Sequence, residues 1–176
     1  MLTLILGGSG SGKSAYAEKS VLSLSGRPRL YVATMAAGDE ESLRRIEKHR
    51  RMRAGKGFET LECPTHLEEA DIPEGSVVLL ECLSNLAANE MFAQDGRGAS
   101  SEEAILEGIA HVLDRAEDLV LVTNNIFEDA EAYDEMTEAY RRILANLNRR
   151  LAEKADRVVE VTFGLPFILK EREERE

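Results

Sequence analysis

The chain has 176 residues, of which 43% are hydrophobic and 31% charged, a balance that excludes disorder over the whole length. The formal net charge of −11 argues against general binding of nucleic acid, because such binding needs a basic surface. No apolar run is long enough to span a membrane, and the N-terminus lacks the basic leader of a signal peptide. Cys63 and Cys82 have no CxxC spacing and predict neither a disulfide framework nor a zinc site. These features predict a cytoplasmic enzyme or binding protein.

Short apolar runs alternate with helical segments through the first half of the chain. The expected elements are, in order, a strand at 2–6, a helix from 13 to about 24, a strand at 29–34, a helix at 40–53, and strands at 58–62 and 76–80. Asp39 is the expected N-cap of the second helix, with Leu43, Ile46 and Arg50 along one side. The segment between Pro64 and Gly75 is a small helix or a loop.

The second half continues the alternation. The expected elements are a helix at 85–92, a glycine-rich loop at 94–99, a helix opened by a Ser100-x-x-Glu103 capping box, a strand at 119–123, an acidic loop at 127–133, a long helix, a strand at 157–163 and a hairpin strand at 167–170. One apolar face of the long helix carries Met136, Tyr140, Ile143, Leu144, Leu147 and Leu151. The order predicts an α/β fold with a mostly parallel sheet, helices on both faces and a C-terminal hairpin strand. We expect one domain over residues 1–170 and a charged tail at 171–176.

The strongest motif follows the first strand. Its eight residues, which fit G-x-x-x-x-G-K-[ST], are Gly7, Gly8, Ser9, Gly10, Ser11, Gly12, Lys13 and Ser14. Glycines let such a loop curl so that backbone N–H groups face an anion, and the following helix adds positive charge at its N-terminus. Lys13 can reach the β- and γ-phosphates, and the Ser14 hydroxyl can ligate Mg²⁺. The motif therefore predicts a nucleoside triphosphate site.

A second metal-side group should be an acid at the end of an apolar strand. Glu81 follows the run Val77-Val78-Leu79-Leu80 and suits that role, although aspartate is more usual there. The alternative interpretation is a strand-end acid that faces solvent.

One basic segment opposes the acidic charge of the chain. Residues 44–56 hold seven lysines and arginines and one acid, Glu47. On a helix, Arg45, His49 and Arg53 lie along one face. Flanking guanidiniums favour the neutral imidazole, which is a competent nucleophile, and they could hold the phosphates of the group that it attacks. The alternative is an ordinary histidine on a solvated helix; His66 and His111 are weaker candidates.

Taken together, these segments resemble the bifunctional adenosylcobinamide kinase / adenosylcobinamide-phosphate guanylyltransferase family of cobalamin biosynthesis, over essentially residues 1–170. The phosphate loop is shared with many unrelated nucleotide-binding proteins, whereas the histidine segment, the Asn-Arg-Arg-Leu-Ala helix and the closing hairpin are more specific. The matching segments are 7–14, 17–18, 31–34, 45–50, 58–62, 79–86, 122–124, 147–156 and 164–170.

The resemblance implies two reactions. ATP or GTP phosphorylates the aminopropanol hydroxyl of adenosylcobinamide, and GTP then guanylylates a histidine that passes GMP to the cobinamide phosphate, giving adenosylcobinamide-GDP. His49 matches the nucleophile, while Lys13 and Ser14 serve the triphosphate and Mg²⁺, with Glu81 as the second metal group. Implied nucleotide contacts beyond residues 7–14 are Ala33, Thr34, Arg50, Arg51, Met52, Arg53, Glu62 and Glu81. The family is similar to the RecA-like branch of the P-loop fold and forms homotrimers.

The sequence departs from the family at three places. Asn124-Asn125 stands where Asn-Glu is common, the segment after Cys82 is short, and an acidic loop at 127–131 replaces a Gly/Pro-rich loop. These changes affect substrate contacts more than nucleotide binding. Two alternatives stay open: another small-molecule P-loop kinase without the guanylyltransferase step, and a non-catalytic nucleotide switch.

Overall fold

The computed structural model describes residues 1–24, 26–36, 38, 40–126 and 133–172. Within the second helix it leaves out the side chains of Glu41, Ser42, Arg45, Lys48, His49 and Met52. The strands are β1 (Leu2–Gly7), β2 (Arg29–Ala33), β3 (Phe58–Glu62), β4 (Val77–Glu81), β5 (Asp118–Asn124), β6 (Arg157–Thr162) and β7 (Leu165–Glu171). The helices are α1 (Lys13–Ser23), α2 (Glu40–Arg53), α3 (Leu83–Phe92), α4 (Ser101–Arg115) and α5 (Glu135–Lys154), with 3₁₀ turns at Leu67–Glu69 and Gly98–Ser100.

The seven strands form one sheet in the order β3-β2-β4-β5-β1-β6-β7. Every neighbouring pair is parallel except β6 and β7, which form an antiparallel hairpin. β5 lies between β1, which leads into the phosphate loop, and β4, which ends at Glu81. The predicted fold class, including the terminal hairpin strand, is confirmed.

Helices cover both faces of the sheet. The α1 side is the smaller: Ala17 and Val21 pack on Ile5, Val120 and Val122. On the other face α3, α4 and α5 bury a larger cluster of sheet and helix residues, which includes Leu4, Leu80, Leu121, Leu86, Ile109 and Leu147. Successive side chains of a strand point to opposite faces of the sheet. In the central strands both sets are apolar, as buried parallel strands require. The sheet is therefore buried between two layers of helices, and polar residues such as Glu81 follow at the carboxyl edge of its strands.

The predicted capping box at the start of α4 does not form. Ser100 ends the 3₁₀ turn Gly98–Ser100 with φ −96° and ψ 10°, and its side chain makes no cap hydrogen bond. Glu103 instead meets the guanidinium of Arg150 on α5 at 3.2 Å, and Glu102 meets it at 3.0 Å. Glu102 and Glu103 in the first turn of α4 thus connect this helix to α5 through ion pairs.

Other boundaries and faces also differ from the prediction. α3 begins at Leu83, two residues early, because Leu83 and Ser84 are buried in the turn that leaves β4. Met136 is 63% exposed, so the apolar face of α5 is buried only further along the helix. β7 reaches Glu171, into the predicted tail. The predicted cap at Asp39 and the acidic loop over 127–132 lie outside the described residues.

Candidate active site

The phosphate loop begins where β1 meets β6 and cannot accommodate side chains at two of its glycines. A Cβ on Gly7 would lie 2.5 Å from the carbonyl oxygen of Val161. Gly12 has φ +92°, and a Cβ there would lie 3.1 Å from Cα of Gly164 in the β6–β7 turn. The N–H of Gly164 also donates to the carbonyl of Ser11 at 2.8 Å. The loop is therefore fixed from the hairpin side by backbone contacts.

Lys13 opens α1 and points back across the loop. Its Nζ donates to the carbonyl of Gly8 at 2.9 Å, and the residue is buried. Burial lowers the pKa of Lys13 below its ordinary value, while the nearby Cys82 and Glu81 act in the opposite direction. A buried ammonium curled over an anion-binding loop can bind the phosphates of a triphosphate.

Glu81, at the carboxyl end of β4, is held at both oxygens. The Ser14 hydroxyl donates to Oε1, and the Tyr31 hydroxyl donates to Oε2 at 3.1 Å. Hydroxyl and carboxylate oxygens next to a phosphate loop are the hard donors that Mg²⁺ prefers. The predicted pair, Ser14 and Glu81, is thus brought into direct contact and fits a magnesium ion.

Arg53, the last residue of α2, lies over the same tyrosine. Its guanidinium carbon is 3.3 Å from the ring centroid of Tyr31. Only 7% of the residue is exposed to solvent. Its Nε is buried without a hydrogen-bond partner. The aromatic face partly compensates the loss of hydration, and a buried cation of this kind is suited to an anionic ligand. Tyr31 therefore joins the basic helix to the carboxylate at the end of β4.

An open pocket lies between α2 and the carboxyl edge of the sheet. Its lining comprises Tyr31, Ala33, Met35, Ile46, Arg53, Glu62, Glu81, Cys82 and Asn85. Glu62, at the end of β3, accepts from Arg50 at 2.6 Å, so this ion pair anchors α2 at the edge of the pocket. The pocket therefore lies between the basic helix and Glu81, whose carboxylate accepts from Ser14 of the phosphate loop.

Comparison with known proteins identifies the family of the chain. The family model for cobinamide kinase / cobinamide phosphate guanyltransferase matches residues 3–169. The chain belongs to this family. It is similar to the bifunctional adenosylcobalamin biosynthesis proteins CobU of Salmonella typhimurium (31% identity, 97% of this chain, all of the relative) and CobP of Pseudomonas aeruginosa (34%, 97% and 98%).

A third similar relative is CobU of Escherichia coli, at 32% identity over 97% of this chain and all of that protein. Among solved structures, a KaiC-like protein of Pyrococcus horikoshii superposes with a TM-score of 0.54 at 14% identity, covering 99% of this chain and 81% of that one. This likeness concerns the fold alone. Within the cobinamide kinase / guanyltransferase family the chain is a bifunctional enzyme that combines kinase and guanylyltransferase activities.

Not every predicted contact of this family member reaches the pocket. Arg51 pairs with Glu47 one helical turn away at 2.8 Å and is exposed. Thr34 is fully buried, and its hydroxyl exchanges hydrogen bonds of 2.8 and 2.7 Å with the carbonyl and N–H of Cys82. We therefore expect Thr34 to fix the end of β4 through its side chain. The backbone of His49 lies one helical turn before Arg53; its side chain, like that of Met52, lies outside the described part of the chain.

The sequence did not reveal a polar network behind the pocket. Asn124 donates to the Ser84 hydroxyl at 2.6 Å, and Thr123 donates to Oδ1 of Asn148 at 2.8 Å. Tyr140 donates to the carbonyl of Ser84 at 3.1 Å. These groups join β5, α3 and α5 behind the carboxyl edge, and only their position at strand ends could have indicated them. The sequence did not indicate a role for Tyr31 either, because an aromatic residue within a strand is ordinarily a core residue.

The two other histidines have structural partners. His111 contacts the carbonyl of Ala70 at 2.9 Å, and His66 contacts that of Asp95 at 2.8 Å. His66 also lies near Glu68 and Glu90, with possible ligand atoms within 4.8 Å of one another. Both oxygens of Glu90, however, accept backbone N–H groups, and Glu68 pairs with Arg97. This cluster therefore serves to clamp two loops together.

Proposed function

We propose that this chain phosphorylates adenosylcobinamide with ATP or GTP and then transfers GMP from GTP to the product through a guanylyl-histidine at His49, giving adenosylcobinamide-GDP. The observation that carries the proposal is the arrangement around Tyr31. Its hydroxyl binds Glu81 beside the phosphate loop, and its ring lies under Arg53 of the helix that bears His49. Both reactions can therefore draw on one pocket.

In the first reaction the phosphate loop holds the triphosphate. The loop N–H groups and the N-terminus of α1 bind phosphate oxygens. Lys13 Nζ leaves the carbonyl oxygen of Gly8 and donates to the β- and γ-phosphates instead. A Mg²⁺ ion held by Ser14 and Glu81 would neutralise charge on those phosphates. The corrinoid hydroxyl oxygen bonds to the γ-phosphorus while the bond to the β-γ bridging oxygen breaks, and the hydroxyl proton leaves to solvent. Positioning and charge neutralisation supply the catalysis.

In the second reaction a neutral His49 nitrogen attacks the α-phosphorus of GTP. The bond from that phosphorus to the α-β bridging oxygen breaks, and pyrophosphate leaves. A phosphate oxygen of the cobinamide phosphate then attacks the same phosphorus and displaces His49. Arg53, buried with an unpartnered Nε, is placed to bind the charge on the transferred group. Arg50 pairs with Glu62, and Glu62 and Ala33 both line the pocket.

We also propose that the enzyme is a cytoplasmic homotrimer with a corrinoid substrate, as the family resemblance implies. β7 is an open edge of the sheet, and its exposed apolar residues, Leu165, Phe167, Ile168 and Leu169, support contact with a second copy. Both cysteines are free thiols, the state that a reducing compartment maintains. Helices in the described ranges are each too short or too polar to cross a bilayer.

Product analysis of a histidine variant tests the division between the two reactions. The protein is incubated with adenosylcobinamide, GTP and Mg²⁺, and the corrinoids are separated by mass. His49→Ala should accumulate adenosylcobinamide phosphate and form no adenosylcobinamide-GDP. His111→Ala is the matched control, because its ring lies on α4 against a backbone carbonyl, and it should form both products.

Three results would count against the proposal. Loss of both products in a folded His49→Ala protein would refute the separate role of the histidine. Formation of adenosylcobinamide-GDP by that variant would exclude His49 as the nucleophile. A wild-type protein that phosphorylates a substrate without guanylyl transfer would be a plain P-loop kinase.

A further inference from the structure

The short connection between α2 and β3, residues 54–57, is held by hydrogen bonds from two elements. The N–H of Lys56 donates to the carbonyl of Arg53 at 3.1 Å, and Nη1 of Arg29 on β2 donates to the carbonyl of Lys56 at 3.3 Å. The two glycines that flank Lys56 have φ of +79° and +73°, in the left-handed region that other residues seldom adopt. The backbone of Lys56 is therefore fixed without any contribution from its side chain.

The side chain of Lys56 leaves this connection and reaches α1. Its Nζ donates to Oε1 of Glu18, in an ion pair whose side chains are 38% and 14% exposed. An ion pair within α2, Arg44 with Glu40, has an arginine that is 81% exposed. Exposed pairs of that kind contribute little, because water and salt screen them. The pair of Lys56 and Glu18 is better shielded from water, and it joins two helices.

Apolar packing contributes little to the position of α2. Neither of the two buried apolar clusters includes a described residue of this helix. Leu43 is exposed, and Ile46 lines the open pocket. The contacts around the end of α2 are polar instead, and they are made by Arg50, Arg53 and Lys56. Because apolar packing usually holds a helix in its fold, polar contacts have an unusually large part in placing this one.

Both partners of the ion pair lie close along the chain to groups of the candidate site. Glu18 follows Lys13, the first residue of α1, by five residues, or about 7.5 Å along the helix axis. Lys56 follows the buried Arg53 by three residues, and the backbone of His49 lies one helical turn before Arg53. The ion pair therefore connects the helix that follows the phosphate loop with the helix that bears the proposed nucleophile.

We propose that Lys56, through its ion pair with Glu18, positions the end of α2 so that His49 and Arg53 meet the nucleotide. The inference rests on the proposed guanylyl transfer through His49 and adds to it a positioning residue that does not line the pocket. In-line attack at phosphorus depends steeply on the placement of the nucleophile. The first reaction uses the phosphate loop, Lys13 and the metal-side groups, so we expect it to be insensitive to this pair.

Replacement of Lys56 by methionine removes the ammonium and keeps the backbone contacts of the connection. Guanylylation of His49 is followed in a single turnover with GTP and Mg²⁺, without a corrinoid, as GMP on the peptide that contains His49. We expect its rate to fall about tenfold in Lys56→Met. Phosphorylation of adenosylcobinamide with ATP should match wild type. Lys56→Arg, which retains a cation within reach of Glu18, should restore guanylylation.

A double-mutant cycle tests whether Lys56 acts through Glu18. Glu18→Met should slow guanylylation by the same factor as Lys56→Met, and the double variant should lose no more than either single variant. Arg44→Met is the charge-matched control, because it removes one positive charge from α2 at an exposed pair, and it should guanylylate at the wild-type rate. Thermal unfolding of each variant shows the folded fraction, and a loss of folded protein alone would lower both activities together.

Guanylylation of Lys56→Met at the wild-type rate would overturn the inference while leaving the guanylyl-histidine intact. An equal loss of phosphorylation would also overturn it, because a general structural effect would then explain the result. An equal loss in Arg44→Met would assign the effect to the net charge of α2, and additive losses in the double variant would show that the two side chains act separately; either result contradicts the inference. A wild-type protein that carries no GMP on His49 would refute the proposed guanylyl transfer and the inference together.

Discussion

Tyr31 donates its hydroxyl hydrogen to Oε2 of Glu81 over 3.1 Å, and the other oxygen of the same carboxylate accepts from Ser14. The carboxylate at the end of β4 is thus held by hydrogen bonds from one neighbouring strand, β2, and one helix, α1. Burial, followed by the charge of Glu81, raises the pKa of the Tyr31 hydroxyl, so this hydroxyl stays protonated and a donor in the physiological range. Tyr31 is therefore a positioning residue for the carboxylate that we assign to the metal.

Tyr31→Phe should separate this role from the packing of the ring. The substitution removes the hydrogen bond to Glu81 but keeps the face under Arg53. We expect kcat for phosphorylation to fall about tenfold, the equivalent of one buried hydrogen bond, with a shifted Mg²⁺ dependence. Tyr31→Leu should also impair guanylyl transfer, since it frees Arg53. Tyr140→Phe, which loses a hydroxyl bond of equal length to Ser84, controls for stability, and its Mg²⁺ dependence should match wild type.

Lys13 gives a proton-linked signature of triphosphate binding. Burial holds its pKa below the ordinary 10.5 in the free protein, and phosphate anions raise it again in the complex. Binding in alkaline buffer should therefore take up protons, and affinity should fall as pH rises through the lowered pKa. Calorimetry in buffers of different ionisation enthalpy measures the uptake; proton release would contradict the assignment. Lys13→Ala should show no such linkage and should lose about 2–4 kcal/mol of transition-state stabilisation in both reactions.

Asp156 ties the first strand to the turn after α5. Its Oδ2 accepts from the N–H of Leu2 at 2.8 Å, and this bond, assisted by Arg172, lowers the pKa of the carboxyl below its ordinary 3.8 despite partial burial. The lowered pKa stabilises the fold above the unfolded-state pKa, and the gain is lost as pH falls through the folded-state value. Asp156→Asn should lower the free energy of unfolding by about 1–2 kcal/mol at neutral pH.

Denaturant unfolding of wild type and Asp156→Asn at neutral and strongly acidic pH checks this expectation. The two curves should converge in acid, where the aspartate is protonated. A difference that persists unchanged at low pH would show that charge plays no part in the contact.

Gly7 and Gly8 make a matched pair in the phosphate loop. A Cβ at Gly7 would lie 2.5 Å from the Val161 carbonyl oxygen and 2.6 Å from Oγ of Ser11, whereas a Cβ at Gly8 meets nothing within 4 Å. Gly7→Ala should therefore cost about 1–3 kcal/mol of unfolding free energy through overpacking. Gly8→Ala should stay within about 0.5 kcal/mol of wild type. Equal losses in thermal or denaturant unfolding would show that the close approach of β6 is not the cause.

Much of the fold could be predicted because its signals are local. The bounds of α2 and β3 agree with the prediction, since Gly55 and Gly57 interrupt the chain between them. The same reasoning failed at Ser100, because Glu103 pairs with Arg150 of α5, which lies 47 residues further along the chain. Long-range partners of this kind cannot be deduced from spacing along one segment.

The residues of the candidate site also fall into two groups: those that a local sequence signal marks, and those whose position depends on partners far along the chain. The phosphate loop and Glu81 could be identified because a motif and a strand end mark them. The position of Tyr31 between Glu81 and Arg53 could not, because it depends on the pairing of β2 with β4 and on where α2 ends. The family resemblance implies a nucleotide contact at Thr34, whose hydroxyl instead exchanges hydrogen bonds with the backbone of Cys82 after β4.

The central claim is that His49 carries GMP, and peptide mapping by mass spectrometry tests it most directly. After incubation with GTP and Mg²⁺ and removal of free nucleotide, we predict one acid-labile GMP on the peptide that contains His49, absent from His49→Ala and present in His111→Ala. Formation of adenosylcobinamide-GDP by wild type with no GMP on that peptide, or with GMP on another residue, would contradict the account.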